Sequence, residues 1–189
     1  PEEDVLLLDL AFASQTPEAT LHVPSYAAWL EGQDLRPAYR YLRRALQVLT
    51  FQRSAARWVL KTPHHLEHLP ALLAEFPGAV LIQTHRDPQA TLASFCSMVA
   101  HARGVFSEQV DPREVGRHWL RKTRRMIDQS LAARDAGAAP GVLDVSYYDL
   151  LRDPLSQVRR IYAHAGLTLT PEALAAMNAV LARDRQHRH

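Results

Sequence analysis

The chain has 189 residues, with 22 lysines and arginines against 20 acids and a formal charge of +2. That length suits one domain with a buried core, and 47% hydrophobic with 22% charged residues excludes a disordered or fibrous chain. No apolar run approaches about 18 residues, so no transmembrane segment is expected, and the small net charge argues against a nucleic-acid surface.

Cys96 is the single cysteine, which leaves no internal disulfide and no thiolate metal cluster. No basic-then-apolar leader precedes a small-residue cleavage site. Together these predict a cytoplasmic protein. Lys61 and Lys122 are the only two lysines, and the other twenty basic residues are arginines.

The amino end reads as a helix from Pro1 to about Ser14, with Glu2, Glu3 and Asp4 ahead of a leucine-rich run. Residues His22 to Gln33 read as a short helix in a loop. From Pro37 to Arg53, Tyr41, Leu42, Ala45, Leu46 and Leu49 fall at helical spacing. Trp58-Val59-Leu60 then reads as a buried strand running into Lys61-Thr62-Pro63. Leu66 to Phe76 is helical, with Pro70 in its first turn, and Pro77-Gly78 stops it. Ala79 to Ile82 is a second strand ending at Thr84-His85-Arg86-Asp87-Pro88, and Asp87 caps a helix to about Ala102. A long helix spans Pro112 to Arg134 and stops near Gly137. Leu143-Asp144-Val145 is a third strand exiting into Ser146-Tyr147-Tyr148-Asp149. Helices over 154–165 and 171–183, separated by Gly166, close the chain. Short apolar strands alternating with helices predict parallel pairing in an α/β layer structure.

Ligands of open parallel sheets bind at the carboxyl ends of strands. Three such exits carry polar clusters here, and the second combines Arg86 with a helix N-terminus, a natural anion site to which Ser94 adds a hydroxyl. Lys61-Thr62-Pro63-His64-His65-Leu66, then Leu81-Ile82-Gln83-Thr84-His85-Arg86-Asp87-Pro88 with Ser94, then Val145-Ser146-Tyr147-Tyr148-Asp149-Leu150-Leu151-Arg152-Asp153-Pro154, with Ile161 and Gly166-Leu167 beyond, resemble the PAPS-dependent sulfotransferases, in particular their bacterial branch. The resemblance covers roughly 58–167.

It implies a P-loop-type parallel sheet with flanking helices and transfer of a sulfuryl group from PAPS to a hydroxyl or amine, with PAP as product. By the same resemblance Arg86 and Ser94 hold the 3′-phosphate and Tyr147 lies near the adenine, although Tyr148 replaces the usual acid. Lys61 approaches the transferring group, and His65, or His64 beside it, serves as the base. Residues 1–54 supply an acceptor side for a small molecule, lipid or glycan, 58–167 a nucleotide-binding core, and 168–189 a C-terminal helix, all in one domain. No metal is implied, and a homo-oligomer is left open. The family's glycine-rich 5′-phosphosulfate loop is missing, since none of the seven glycines sits in a strand-to-helix turn with Ser-Gly-Thr-Thr character. A partial chain, incomplete at the amino end, is therefore expected.

Three rivals stand beside this reading. His64-His65-Leu66-Glu67-His68 spells an H-x-x-E-H zinc-peptidase string, but Pro70 disturbs the helical register that motif needs. A nucleotide kinase of related fold would require a phosphate loop that is also missing. A non-catalytic binding or scaffold module would explain the absent loop. The run Arg121-Lys122-Thr123-Arg124-Arg125 lacks interleaved aromatics and reads as a solvated helix face, and His187 and His189 as a charged fraying end.

Overall fold

A computed structural model describes residues 3–53 and 56–186. Contacts group the chain into two compact units, Pro1–Ala79 with Asp87–Pro140, and Val80–Arg86 with Gly141–His189.

The first unit is helical: α1 (Val5–Asp9), α2 (Thr16–Thr20), α3 (Pro24–Glu31), α4 (Arg36–Gln52), a 3₁₀ turn (Pro63–Glu67), α5 (Leu69–Glu75), α6 (Pro88–Gly104) and α7 (Pro112–Asp135). Prolines at the first turns of α2 to α7 start these helices where no backbone donor is needed. Asp87 Oδ1 accepts from Ala90 N at 2.9 Å and Asp111 Oδ1 from Arg113 N at 2.9 Å, capping α6 and α7. Helix α6 packs on α7 through Val99, Val115 and Trp119, and Phe95 meets Trp119 edge-on with centroids 4.7 Å apart.

The same unit buries an ionic cluster. Lys122 of α7 is fully buried, with Nζ 3.2 Å from Glu18 Oε1, 3.1 Å from Glu67 Oε2 and 3.6 Å from Glu31 Oε1. Arg125 also pairs with Glu67, Arg121 with Glu31 at 2.8 Å, and His118 with Glu18 at 2.9 Å. Carboxylates from α2, α3 and the 3₁₀ turn are thus gathered on one face of α7. Burial alone would raise the Glu31 carboxyl, but the Arg121 hydrogen bond and the Lys122 and Arg125 charges hold it below its ordinary value. The expected solvated face is corrected here: among these five positions Arg124 points outward toward Asp128, whereas Arg121, Lys122 and Arg125 meet acids supplied by other elements.

The second unit holds β1 (Ile82–His85) and β2 (Leu143–Ser146), paired in parallel with Ile82 opposite Leu143 and His85 opposite Ser146. Helices α8 (Tyr147–Arg152), α9 (Pro154–His164) and α10 (Pro171–Gln186) follow. Gly166, at φ 64°, ends α9 with its N–H on Ala163 O at 3.1 Å and Leu167 N on Tyr162 O at 2.8 Å. That double bond needs a left-handed residue, which glycine supplies without a Cβ clash.

The α/β class and the parallel pairing agree with expectation. Three boundaries do not. Residues 58–60 form no strand among the described residues: Val59 is 90% exposed, and Trp58 is tied by its Nε1 to Thr50 Oγ1 at 2.9 Å. The second strand lies three residues later than its apolar run, because pairing to β2 selects Gln83, Thr84 and His85. The first helix runs only from Val5 to Asp9: Glu3 and Asp4 ahead of it are engaged with Lys61, and Phe12 beyond it takes a positive φ of 51°. His187 and His189 lie outside the described residues. No helix among those described is long and apolar enough to cross a membrane.

Candidate active site

The segment Lys61-Thr62-Pro63-His64-His65 is locally determined at its centre. Thr62 Oγ1 accepts from His64 N at 3.3 Å, and Pro63 opens the 3₁₀ turn that carries both histidines. Its ends are fixed from far away in the sequence. Asp4 Oδ1 accepts from Lys61 N at 2.7 Å, while Asp4 Oδ2 lies 2.9 Å from His65 Nε2. The second contact is bent, with the carboxylate off the ring N–H direction, so it acts more as a charge pairing than as an aligned hydrogen bond.

His65 Nδ1 lies 2.9 Å from Tyr39 Oη. Tyr39 is fully buried, and burial, with the Asp4 and Glu67 charges adding to it, pushes its hydroxyl well above the ordinary phenol range. Tyr39 therefore keeps its proton, and His65 Nδ1 is the nitrogen within hydrogen-bond reach of it. Burial would raise the Asp4 carboxyl, but the contact with His65 and the Lys61 N–H hold it below its ordinary value.

His64 is fully buried, and neither of its nitrogens finds a hydrogen-bond partner among the described residues. Burial, reinforced by His68, His65 and Lys122, pushes it down to about 3, so it is neutral in ordinary buffers. His68, with its ring centroid 4.8 Å from that of His64, is pushed down to about 4 by burial and by the Lys122 and Arg125 charges. The Glu67 carboxylate between them is bound to Lys122 and Arg125, and no group of three metal-ligating side chains occurs among the described residues. Lys61 has a largely exposed side chain whose Nζ pairs with Glu3.

The second unit assembles the other cluster at the carboxyl ends of its paired strands. Arg86 follows β1 directly and its guanidinium sits 4.7 Å from the ring centroid of Tyr147, the first residue of α8. Ser146 Oγ accepts from Asp149 N at 3.4 Å and starts that helix, which aims Tyr147. His85 Nε2 reaches across the sheet to Asp144 Oδ1 at 2.6 Å. Ser94 is exposed on the second turn of α6.

Arg86 and Tyr147 are thus brought together, and Lys61 and His65 share one carboxylate. The sequence alone does not single out Asp4, which reads as part of a helix start, or Tyr39, which falls within the acceptor side at 1–54. No local signal marks either residue, because the partners lie 57 residues away for Asp4 and 26 for Tyr39.

A model of the Sulfotransferase family matches residues 1–171. The chain is 27% identical to the omega-hydroxy-beta-dihydromenaquinone-9 sulfotransferase Stf3 of Mycobacterium bovis, over 76% of this chain and 38% of that protein, and equally to its counterpart in Mycobacterium tuberculosis. The crystal structure of sulfotransferase STF1 from Mycobacterium tuberculosis superposes with a TM-score of 0.86 at 41% identity, over 94% of this chain and 48% of that one. Sulfotransferase STF9 from Mycobacterium avium gives 0.90 at 34% identity, over 97% and 47%. The chain therefore spans less than half the length of each of these relatives.

Proposed function

From the chain's membership of the Sulfotransferase family, we propose that it acts in moving a sulfuryl group from PAPS to a hydroxyl of a small-molecule or lipid acceptor. The observation that carries this reading is the guanidinium of Arg86 on the face of Tyr147 at the exits of two parallel strands. A cation and an aromatic face side by side suit a phosphorylated nucleoside, the phosphate on the arginine and the base on the ring. The name of Stf3 supports a lipid-borne hydroxyl as the acceptor class. A P-loop-type sheet and a cytoplasmic setting, fitting a lone cysteine, belong to the same proposal.

Transfer forms a bond from the acceptor oxygen to sulfur while the bridging bond to the 5′-phosphate breaks, and PAP leaves. Positioning and charge stabilisation dominate such reactions. Lys61, exposed and paired at the surface with Glu3, can exchange that partner and stabilise the charge growing on the bridging oxygen. His65 takes the acceptor proton at Nδ1, for which the acceptor hydroxyl competes with Tyr39. His64, sealed and neutral, supports the fold.

The test is incubation with PAPS and a panel of phenols and lipid hydroxyls, read by mass spectrometry. Sulfate ester and PAP in equal amounts are expected. PAPS binding without any transfer would favour the binding-module alternative.

A further inference from the structure

We propose that Asp4 is a positioning residue of the sulfuryl-transfer site: one buried carboxylate fixes the backbone at Lys61 and holds His65 with its ring proton on Nε2 and its lone pair on Nδ1. This rests on the function proposed above.

The geometry is specific. The Asp4 side chain is 3% exposed and its two oxygens diverge to residues four apart in the chain, Oδ1 to Lys61 N at 2.7 Å and Oδ2 to His65 Nε2 at 2.9 Å. A carboxylate cannot donate, so the nitrogen beside Oδ2 carries the proton even though that contact is bent. The tyrosine on the other nitrogen points the same way, because the buried Tyr39 hydroxyl keeps its proton and has His65 Nδ1 within reach at 2.9 Å to accept it. Both neighbours select one neutral tautomer. The opposite tautomer would set a lone pair against the carboxylate and leave the Tyr39 proton buried without an acceptor. A carboxylate on one ring nitrogen and a hydroxyl on the other is how a histidine base is oriented toward an oxygen nucleophile. The Tyr39 hydroxyl marks, at 2.9 Å, the place from which a proton is received. The Oδ1 bond meanwhile anchors the backbone of Lys61, whose side chain is 74% exposed. Proton acceptor and charge stabiliser are therefore set relative to one another by a single group.

The experiment uses the 189-residue chain with ¹⁵N-labelled histidine and two-bond nitrogen–proton correlation spectra at neutral pH, His65 being assigned by its loss in His65→Gln. The wild type is expected to show the Nε2–H tautomer at His65. Asp4→Asn, which cannot present two acceptor oxygens, is expected to lose that pattern, whereas Tyr39→Phe keeps it because Asp4 remains. Asp4→Ala is also expected to speed exchange of the Lys61 amide at least tenfold. A wild-type His65 protonated on Nδ1, or an unchanged ring spectrum in folded Asp4→Asn, overturns the proposal, and the wild-type spectrum decides even if a variant fails to fold. PAP titration of the same wild-type sample separates the two levels: absent binding removes the proposed function and leaves the tautomer result standing.

Discussion

The chain's two lysines sit in opposite settings within one helical unit. Lys122 is fully buried among three glutamates, whereas the side chain of Lys61 is 74% exposed and meets one glutamate at the surface. A buried ammonium is held only because its partners repay a desolvation cost of several kcal/mol, so it is immobile and structural. An exposed one gains little from its partner and can trade it for a substrate oxygen. The same kind of ion pair thus locks the helices around α7 and leaves the Lys61 side chain in solvent before the 3₁₀ turn.

Replacing Lys122 with Met breaks the first half of this contrast. Glu18 and Glu67 are left buried with fewer cations, and a loss of about 3–5 kcal/mol is expected in urea unfolding. Adding Glu18→Gln and Glu67→Gln should recover part of it, and a loss under about 1 kcal/mol would show that the cluster is not a lock.

Acid probes the same region through His64 and His68. Their folded pKa values, about 3 and about 4, lie below the ordinary histidine value of 6.5. Below pH 6.5 the unfolded chain binds protons that the folded chain refuses. Stability is therefore complete above that pH and falls as pH drops toward 4, by up to about 1.4 kcal/mol per pH unit for each histidine. Denaturant midpoints between pH 7 and 4 check this, and removing His68 as His68→Gln should flatten the slope. A pH-independent midpoint would mean that these rings are solvated.

Smaller effects are expected outside the cluster. Tyr147→Leu removes the ring beneath Arg86 and should weaken nucleotide binding by about 0.5–1 kcal/mol from the lost cation–π contact, with any lost base stacking adding to that. Lys61→Ala should change stability by less than about 0.5 kcal/mol, so any large fall in transfer rate in that variant reports on chemistry alone. A clear stability loss would place Lys61 with Lys122 as a structural residue.

Much of the fold was legible because its signals are local. Asp87, Gly137 and Gly166 each act within a few residues, and the structure uses all three as helix punctuation. That Arg86 and Tyr147 stand at strand exits was legible from the rule that ligands bind at the carboxyl ends of parallel strands, whereas their mutual contact was not. What escaped was long-range. The strand expected at Trp58 rested on composition, which cannot supply a partner for its ladder. Lys122 read as solvated because its counter-charges come from α2, α3 and the 3₁₀ turn. Asp4 and His65 are 61 residues apart, and a helix start was the cheaper local explanation for the acids near the amino end.

The most direct measurement is a calorimetric titration of the wild type and Arg86→Ala with PAP, run against 5′-AMP. A marked preference of the wild type for the 3′-phosphate is predicted. The variant should lose about 2–3 kcal/mol of PAP affinity, roughly 30- to 150-fold, with little change for 5′-AMP. Equal affinity for the two nucleotides, or an unaltered PAP isotherm in Arg86→Ala, would contradict a donor site built on the exits of β1 and β2.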